Sequence, residues 1–193
     1  MAVTMHAHSI RQTLRSLANP SIAAHSLRFF KTGPGQYGEG DQFLGIRVPV
    51  LRSHLPTFRD APLAAVLETL RSPWHEERLF ALLLMVARFP RADQQARDAL
   101  YGAYLAHTAH INNWDLVDAS APYIPGPYLY ERPRRPLFTM ARSGELWKQR
   151  VAMLSTFYFI RNRDFEDAFK IADILIDHPH DLIHKAVGWM VRE

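Results

Sequence analysis

Apolar residues recur at helical spacing along nearly the whole of this 193-residue chain. Ile10, Leu14 and Leu17, for example, fall at positions i, i+4 and i+7, the spacing of one face of an α-helix. The pattern predicts about eleven helices, separated by breaks at Pro or Gly, and no convincing strand. The predicted helices cover residues 10–17 with Ser9 as a cap, 22–31, 48–58, 63–71, 74–89, 92–107, 113–120, 128–142, 145–161, 164–176 and 181–192.

The connections between these helices are short, which favours antiparallel neighbours. We therefore predict an all-α fold, an α-solenoid of stacked antiparallel helix pairs, with a compact irregular bundle as the alternative. The sequence has no exact repeat and no visible linker, so we expect a single domain over residues 1–193. Pro133 and Pro136 lie inside the predicted helix 128–142 and must kink or split it.

The composition excludes several classes of protein. Cysteine is absent, which removes disulfides, thiolate zinc sites and a cysteine nucleophile. The longest apolar run, residues 80–87, is far too short to cross a bilayer. The N-terminus carries histidines where a secretion signal needs an apolar run. We therefore expect a soluble, cytoplasmic protein. Separately, we expect a monomer.

The chain carries a net charge of +4, and its basic excess lies before residue 164. Most of the basic residues are Arg, which offers bidentate geometry to phosphate. Two explanations remain open at this point. The arginines indicate a polyanionic partner, or they reflect the arginine enrichment of a GC-rich genome.

Two short motifs fail in their context. Residues 33–38 match GxGxxG, but no strand precedes them and the next residues continue a loop, so we interpret them as a loop that needs positive φ at several glycines. His75 and Glu76 begin like a zinc-protease motif, but Leu79 stands where the second histidine is required. The histidine pairs at 6 and 8 and at 178 and 180 lack a nearby third ligand, so we predict no metal and no cofactor.

The most informative segment is residues 111–120, INNWDLVDAS. Trp114 and Asp118 are four residues apart and therefore share one face of a helix, whereas Asp115 points off that line and suits a capping role near the helix N-terminus. An aromatic plate beside a carboxylate can grip and stabilise a cation. The alternative is a core tryptophan next to a solvated aspartate.

Two other places add candidates. Trp147 and Arg150 lie early in an otherwise apolar helix, where Arg150 could clamp a phosphate or form a structural ion pair. Trp189 follows Gly188, a residue that allows close approach of a backbone or a ligand. The alternative for Trp189 is again a core residue.

Taken together, four segments resemble the bacterial DNA alkylation repair family, the AlkD-type alkylpurine DNA glycosylases built from HEAT-like helical repeats. The segments are 29–49 (FFKTGPGQYGEGDQFLGIRVP), 112–118 (NNWDLVD), 147–157 (WKQRVAMLSTF) and 185–193 (KAVGWMVRE). No single segment is specific to this family. The occurrence of all four in this order along essentially the whole chain is specific to it. The resemblance implies HEAT-like helix pairs. Because members usually continue for several helices beyond the last segment, we also expect part of the DNA-binding cleft to be missing.

The resemblance also implies roles for individual residues. Asp118 matches the catalytic aspartate of the family, Trp114 and Trp189 match the two tryptophans of its cleft, and Arg150 matches its cleft arginine. Two further residues are expected to contact the DNA backbone, namely Arg47 and Lys148.

The implied activity is hydrolysis of the N-glycosidic bond of cationic N3- or N7-alkylpurines in double-stranded DNA, without a metal or cofactor. An ionised carboxylate can stabilise the oxocarbenium character of the sugar, and tryptophan faces can contact the cationic nucleotide. Two alternatives remain: a DNA-binding relative without catalysis, and a helical-repeat scaffold that binds proteins.

Overall fold

A computed structural model describes residues 6–193, and over that range the chain is all-helical. The only β-type contact there is an isolated bridge between Gln42 and Trp74. The helices are α1 (Ala7–Ser16), α2 (Pro20–Phe29), α3 (Val48–Phe58), α4 (Leu63–Leu70), α5 (His75–Arg88), α6 (Gln94–Ala106), α7 (Trp114–Asp118), α8 (Pro125–Tyr130), α9 (Arg135–Ala141), α10 (Leu146–Arg161), α11 (Glu166–Leu175) and α12 (Asp181–Arg192). Two short 3-10 turns, Phe89–Arg91 and Thr108–His110, follow α5 and α6.

The prediction of an all-α fold is confirmed, and the break predicted at two prolines accounts for the one extra helix. The predicted helix 128–142 is split into α8 and α9, because Pro133 falls between them and Pro136 begins the first turn of α9. No helix in the described part of the chain is long and apolar enough to span a membrane.

Helix starts follow local capping chemistry, with one correction to the sequence prediction. Asn19 caps α2 by accepting a hydrogen bond from the backbone N–H of Ile22. The prediction that Ser9 caps α1 is wrong: His6 occupies the N-cap position, and the Ser9 hydroxyl donates to the His6 carbonyl instead. The first turn of α1 therefore begins earlier than the apolar pattern indicated.

The chain folds as two compact units, with the division after Arg91. In the first unit, the segment that follows the Gly-rich loop of residues 33–40 is fastened to α5 by a buried carboxylate. The Glu76 carboxylate accepts hydrogen bonds from the backbone N–H groups of Leu44, Gly45 and Ile46 at 2.7–3.1 Å. The predicted need for positive φ in the Gly-rich loop over residues 33–40 is confirmed at Gly35 and Gly40 but is wrong at Gly33 and Gly38. Residues 44–46, which follow that loop, form a structural segment held by a carboxylate.

In the second unit, α10 is the central helix. It is buried without interruption from Gln149 to Thr156, and α7, α8, α9, α11 and α12 pack around it. Two contacts join α10 to α12: Arg150 with Leu182, and Phe157 with Trp189. The second pair lies seven residues after the first on both helices, so α10 and α12 run parallel. α11 connects them in the chain and runs in the return direction. Parallel second helices of successive pairs are the packing of a helical solenoid.

Whether the two units act as the single domain expected over 1–193 stays a prediction.

Candidate functional site

The site is built on α7, a helix of five residues that the surrounding core holds in place. Asn113 occupies the N-cap position of α7, and its side chain accepts a hydrogen bond from the Trp114 N–H at 2.8 Å. Leu116 and Val117 are fully buried. Trp114 and Asp118 are both half-buried, at the edge of the core. The spacing that predicted one shared face is therefore realised on a short, anchored helix.

The buried hydroxyl groups of Tyr104 and Ser120 stabilise the C-terminal end of α7. The Ser120 hydroxyl donates to the Leu116 carbonyl at 2.6 Å and lies 3.0 Å from the Tyr104 hydroxyl. Tyr104 is completely buried, and burial raises the pKa of its phenol. Its proton therefore stays in place at neutral pH, and the Tyr104–Ser120 pair stabilises the backbone that leads into Asp118.

Asp118 forms a bidentate ion pair with Arg150 of α10. Nε of Arg150 donates to Oδ1 of Asp118 at 2.8 Å, and Nη2 donates to Oδ2 at 2.8 Å. This two-bond arrangement fixes the plane of the carboxylate as well as its position. The aspartate and arginine that the sequence singled out separately are therefore in direct contact.

The two partners of this ion pair differ in exposure. The Arg150 side chain is 5% exposed and the Asp118 side chain 18%. A third Arg150 nitrogen, Nη1, donates to the backbone carbonyl of Leu182 on α12. The guanidinium is thus enclosed between two helices, while the Asp118 side chain stays partly exposed. The sequence left two roles open for Arg150, and the structure shows the ion pair. A contact between Arg150 and a phosphate stays a prediction.

The protonation behaviour of Asp118 reflects this position. Burial raises the pKa of Asp118 above its ordinary value, and the negative charge of Asp115 raises it further. The hydrogen bonds and positive charge of Arg150 oppose this rise and favour the ionised form. Asp115 itself accepts a hydrogen bond from the Leu116 N–H at 2.8 Å, in agreement with the predicted capping role.

Trp189 is half-buried on α12, two turns beyond the residue that Arg150 contacts. Its ring packs at a tilt against Phe157, with centroids 6.0 Å apart, and its indole N–H donates to Glu193 at 3.0 Å. Seven residues separate Leu182 from Trp189, or about 10 Å along a helix. Arg150 therefore links Asp118 directly to the helix that carries Trp189.

The two candidates for DNA-backbone contact lie in different units. Arg47 is exposed at the N-cap of α3 in the first unit. Lys148 lies near the start of α10 in the second unit, with its ammonium 2.6 Å from the Glu145 carboxylate. Their contacts with DNA stay predictions. Within residues 6–193, no three His, Asp or Glu side chains converge in a way that could hold a metal ion.

Sequence reasoning missed three residues of this neighbourhood. The Leu182 acceptor is a backbone carbonyl, which leaves no trace in the residue type. Ser120 and Tyr104 are common core residues, and their hydroxyl pair spans sixteen positions of the chain. The one available signal was that a buried Tyr and a buried Ser each need a partner.

The family comparison agrees with the resemblance carried by the four segments. The chain matches the family model described as DNA alkylation repair enzyme over residues 10–193. The protein therefore belongs to the DNA alkylation repair enzyme family, and its role lies in DNA repair. None of the curated proteins compared with it matches this chain.

Proposed function

We propose that this protein is a DNA glycosylase that releases cationic N3- and N7-alkylpurines from double-stranded DNA. One observation carries the proposal: on the face of α7 that Trp114 shares, Asp118 is held rigidly by a buried arginine yet keeps an accessible edge. Partial exposure spares this pair part of the desolvation cost of burial and leaves the Asp118 side chain open to a ligand. A pair that presents the carboxylate outward suits a carboxylate that contacts a ligand.

The chemistry requires little from the protein. An alkylated purine that carries a positive charge is already a good leaving group. When the C1′–N9 bond breaks, its electron pair goes to the base, which leaves as a neutral alkylpurine. The deoxyribose develops oxocarbenium character, water adds to C1′ and loses a proton, and an abasic site remains. The protein must stabilise positive charge on the sugar and guide the water.

Asp118 is the residue we assign to that task. An ionised carboxylate within contact distance of the sugar offsets the developing charge, and it can accept the proton of the attacking water. Its position is fixed beforehand, so no reorganisation is needed when the charge appears. The Trp114 and Trp189 rings can offer electron-rich faces to the cationic nucleotide.

Arg150 acts in this proposal as a positioning residue. Its guanidinium is buried, so it reaches the carboxylate and the Leu182 carbonyl and is shielded from an approaching phosphate. By holding both Oδ atoms of Asp118, it sets the direction of the remaining lone pairs and keeps the group ionised.

The decisive experiment is base release from duplex DNA that contains N7-methylguanine, measured in single turnover at saturating protein. Asp118→Asn should lower the excision rate about a hundredfold, because the amide cannot offset positive charge. The binding of lesion-free duplex should stay within about twofold, since no phosphate contact is removed. An unchanged excision rate in the variant would sink the assignment of Asp118.

A panel of lesions tests the substrate class. Because charge on the base drives the reaction, N3- and N7-alkylpurines should be released, including those with large alkyl groups. Neutral lesions such as uracil and 1,N6-ethenoadenine should be released little. Efficient release of neutral bases, or sharp discrimination by alkyl size, would indicate a conventional pocket for a flipped base.

The non-catalytic alternative has one observation in its favour. The positive charge of Arg150 partly neutralises Asp118, which weakens the field that the carboxylate exerts on a substrate. A wild-type protein that binds duplex DNA but releases no N7-methylguanine would establish that alternative.

A further inference from the structure

The second unit also carries a cationic groove, separate from the Asp118 site. A groove of about 700 Å³ opens beside α9 and the start of α10. Four of its lining residues come from one side of α9 and its C-cap, at positions i, i+3, i+4 and i+7, and Lys148 of α10 also lines the groove. We call this feature the α9 groove; its lining includes Arg135, Phe138, Thr139, Arg142 and Lys148, together with one acidic residue, Glu145.

Two arginines of the α9 groove are not engaged in the fold. Arg135 and Arg142 are exposed, and neither guanidinium has a carboxylate partner within the described residues. Arg142 lies over the Phe138 ring at 5.8 Å. Arg134, the chain neighbour of Arg135, shows the contrast, because it is held by Asp164 at 2.7 Å and Asp167 at 2.9 Å. Arg134 is therefore structural, whereas Arg135 is available to a ligand.

The spacing of these cations matches a nucleic-acid strand. Arg135 and Arg142 are seven residues apart, about 10 Å along the helix axis. Phosphates of one strand of B-DNA advance about 3.4 Å per nucleotide along the duplex axis, so the two guanidinium groups span about three nucleotides. Guanidinium and ammonium groups beside a hydroxyl are the donors that usually contact phosphate oxygens.

The α9 groove and the Asp118 site lie on different sides of the same helix. Lys148 and Arg150 are two residues apart on α10, about 200° around its axis. Both fall within the first five residues of α10, so the two sites are separated by about one helix diameter, 10–12 Å. Because the two sites face different ways, any phosphates that reach the groove must belong to DNA that flanks the nucleotide at Asp118.

We infer that the α9 groove binds the phosphodiester backbone of DNA that flanks the lesion, with Arg135 and Arg142 as its principal contacts. This inference rests on the proposed function for the identity of the polyanion. The role of the groove is affinity, and it contributes nothing to bond cleavage. Lys148 joins these contacts by exchanging the Glu145 carboxylate for a phosphate.

The test is binding of lesion-free, fluorescently labelled duplex by anisotropy over a range of salt concentrations. Arg135→Ala with Arg142→Ala should weaken binding about tenfold, and it should reduce the slope of log affinity against log salt by about two. Arg135→Lys with Arg142→Lys keeps both charges and should retain most of the affinity. Lys170→Ala with Lys185→Ala removes the same charge from exposed sites on α11 and α12 and should change affinity less than about twofold.

A second readout does not depend on these variants folding well. The chain has no cysteine, so Thr139→Cys introduces a single thiol in the groove. Lesion-free duplex should protect this thiol from alkylation by a maleimide reagent. Asp173→Cys, exposed on α11, should stay fully reactive. Equal reactivity of the Thr139→Cys thiol with and without bound duplex would overturn the inference.

The failures of the two proposals can be told apart. If the double alanine variant binds duplex like the wild type while the wild type excises N7-methylguanine, the groove inference is wrong and the proposed function stands. If the wild type releases no base but the groove variants lose duplex binding, the groove inference stands alone. Protection by an acidic protein but not by duplex would also overturn the inference.

Discussion

Glu76 in the first unit and Asp118 in the second are both carboxylates taken out of bulk water, but they are held in different ways. Glu76 is almost fully buried, and three backbone N–H groups donate to its oxygens. Asp118 is held by one arginine and keeps an outward edge. The first arrangement fastens a loop, whereas the second leaves acceptor capacity for a ligand. Burial alone therefore does not distinguish the two carboxylates; the residual exposure of Asp118 does.

A second acid in the first unit extends the contrast to protonation. Asp41 lies 2.7 Å from both His75 and Arg78. Burial acts to raise the pKa of Asp41, but the hydrogen bond and charge of His75, together with Arg78, bring that pKa below its ordinary value. The pKa of Asp118 is raised instead. The pKa shift of Asp41 thus favours its ionised form, whereas the pKa shift of Asp118 favours its protonated form.

The largest effect should come from removing the structural carboxylate. Glu76→Ala leaves three buried N–H groups without an acceptor and should lower the free energy of unfolding by about 3 kcal/mol or more. Urea denaturation followed by circular dichroism measures this change. Glu68→Ala is the matched control, because its exposed pair with Arg11 should contribute less than about 1 kcal/mol. Equal midpoints for the two variants would contradict the structural role of Glu76.

The opposite pKa shifts predict that activity is lost before the fold on acidification. Excision needs ionised Asp118, so the rate should fall as the pH drops through a pKa above the ordinary aspartate value, approaching about tenfold per pH unit. Asp41 has a lowered pKa, so the stability it contributes is present above the ordinary aspartate pKa and is lost only as the pH falls through the lowered value. Between the two values the protein should be folded and inactive.

Parallel pH profiles of single-turnover excision and of helical circular dichroism check this order. Rates must be corrected for spontaneous base loss in acid with a protein-free sample. Coincident loss of excision and helicity would contradict the prediction.

Changing Arg150 to lysine tests whether it positions Asp118 or clamps a phosphate. Lysine keeps the charge but cannot donate two parallel hydrogen bonds, so excision should fall about tenfold through a misaligned carboxylate. Because Arg150 is buried, duplex affinity and its salt slope should stay unchanged. A salt slope reduced by about one would instead support the phosphate clamp that the sequence suggested.

The local features of this fold were predictable from the sequence, and the long-range ones were not. The bounds of α3 and α12 were predicted as observed, because Pro49 suits a first helical turn and a run of apolar residues at helical spacing ends with the chain. The shared face of Trp114 and Asp118 follows from spacing alone.

The ion pair between Asp118 and Arg150 spans thirty-two positions of the chain, and only the packing of α7 against α10 brings the two residues together. The sequence offered both an ion pair and a phosphate clamp for Arg150 and could not choose between them. Glu76 was passed over as part of a failed metal motif, because nothing in its local sequence reveals three distant backbone donors.

The smallest expected effect separates the two carboxylates of α7. Asp115→Asn keeps a side-chain oxygen that can still accept from the Leu116 N–H, so the start of α7 should be preserved. The substitution removes the negative charge that raises the pKa of Asp118, so the acid limb of the excision profile should move to lower pH. The hydrogen bonds and positive charge of Arg150 favour ionised Asp118 in both proteins, so excision at neutral pH should change less than about threefold. Single-turnover rates of wild type, Asp115→Asn and Asp118→Asn on one N7-methylguanine duplex, taken across pH, decide the matter. If Asp115→Asn lost as much activity as Asp118→Asn, the contrast between an exposed, arginine-held acid and a capping acid would not distinguish the catalytic residue.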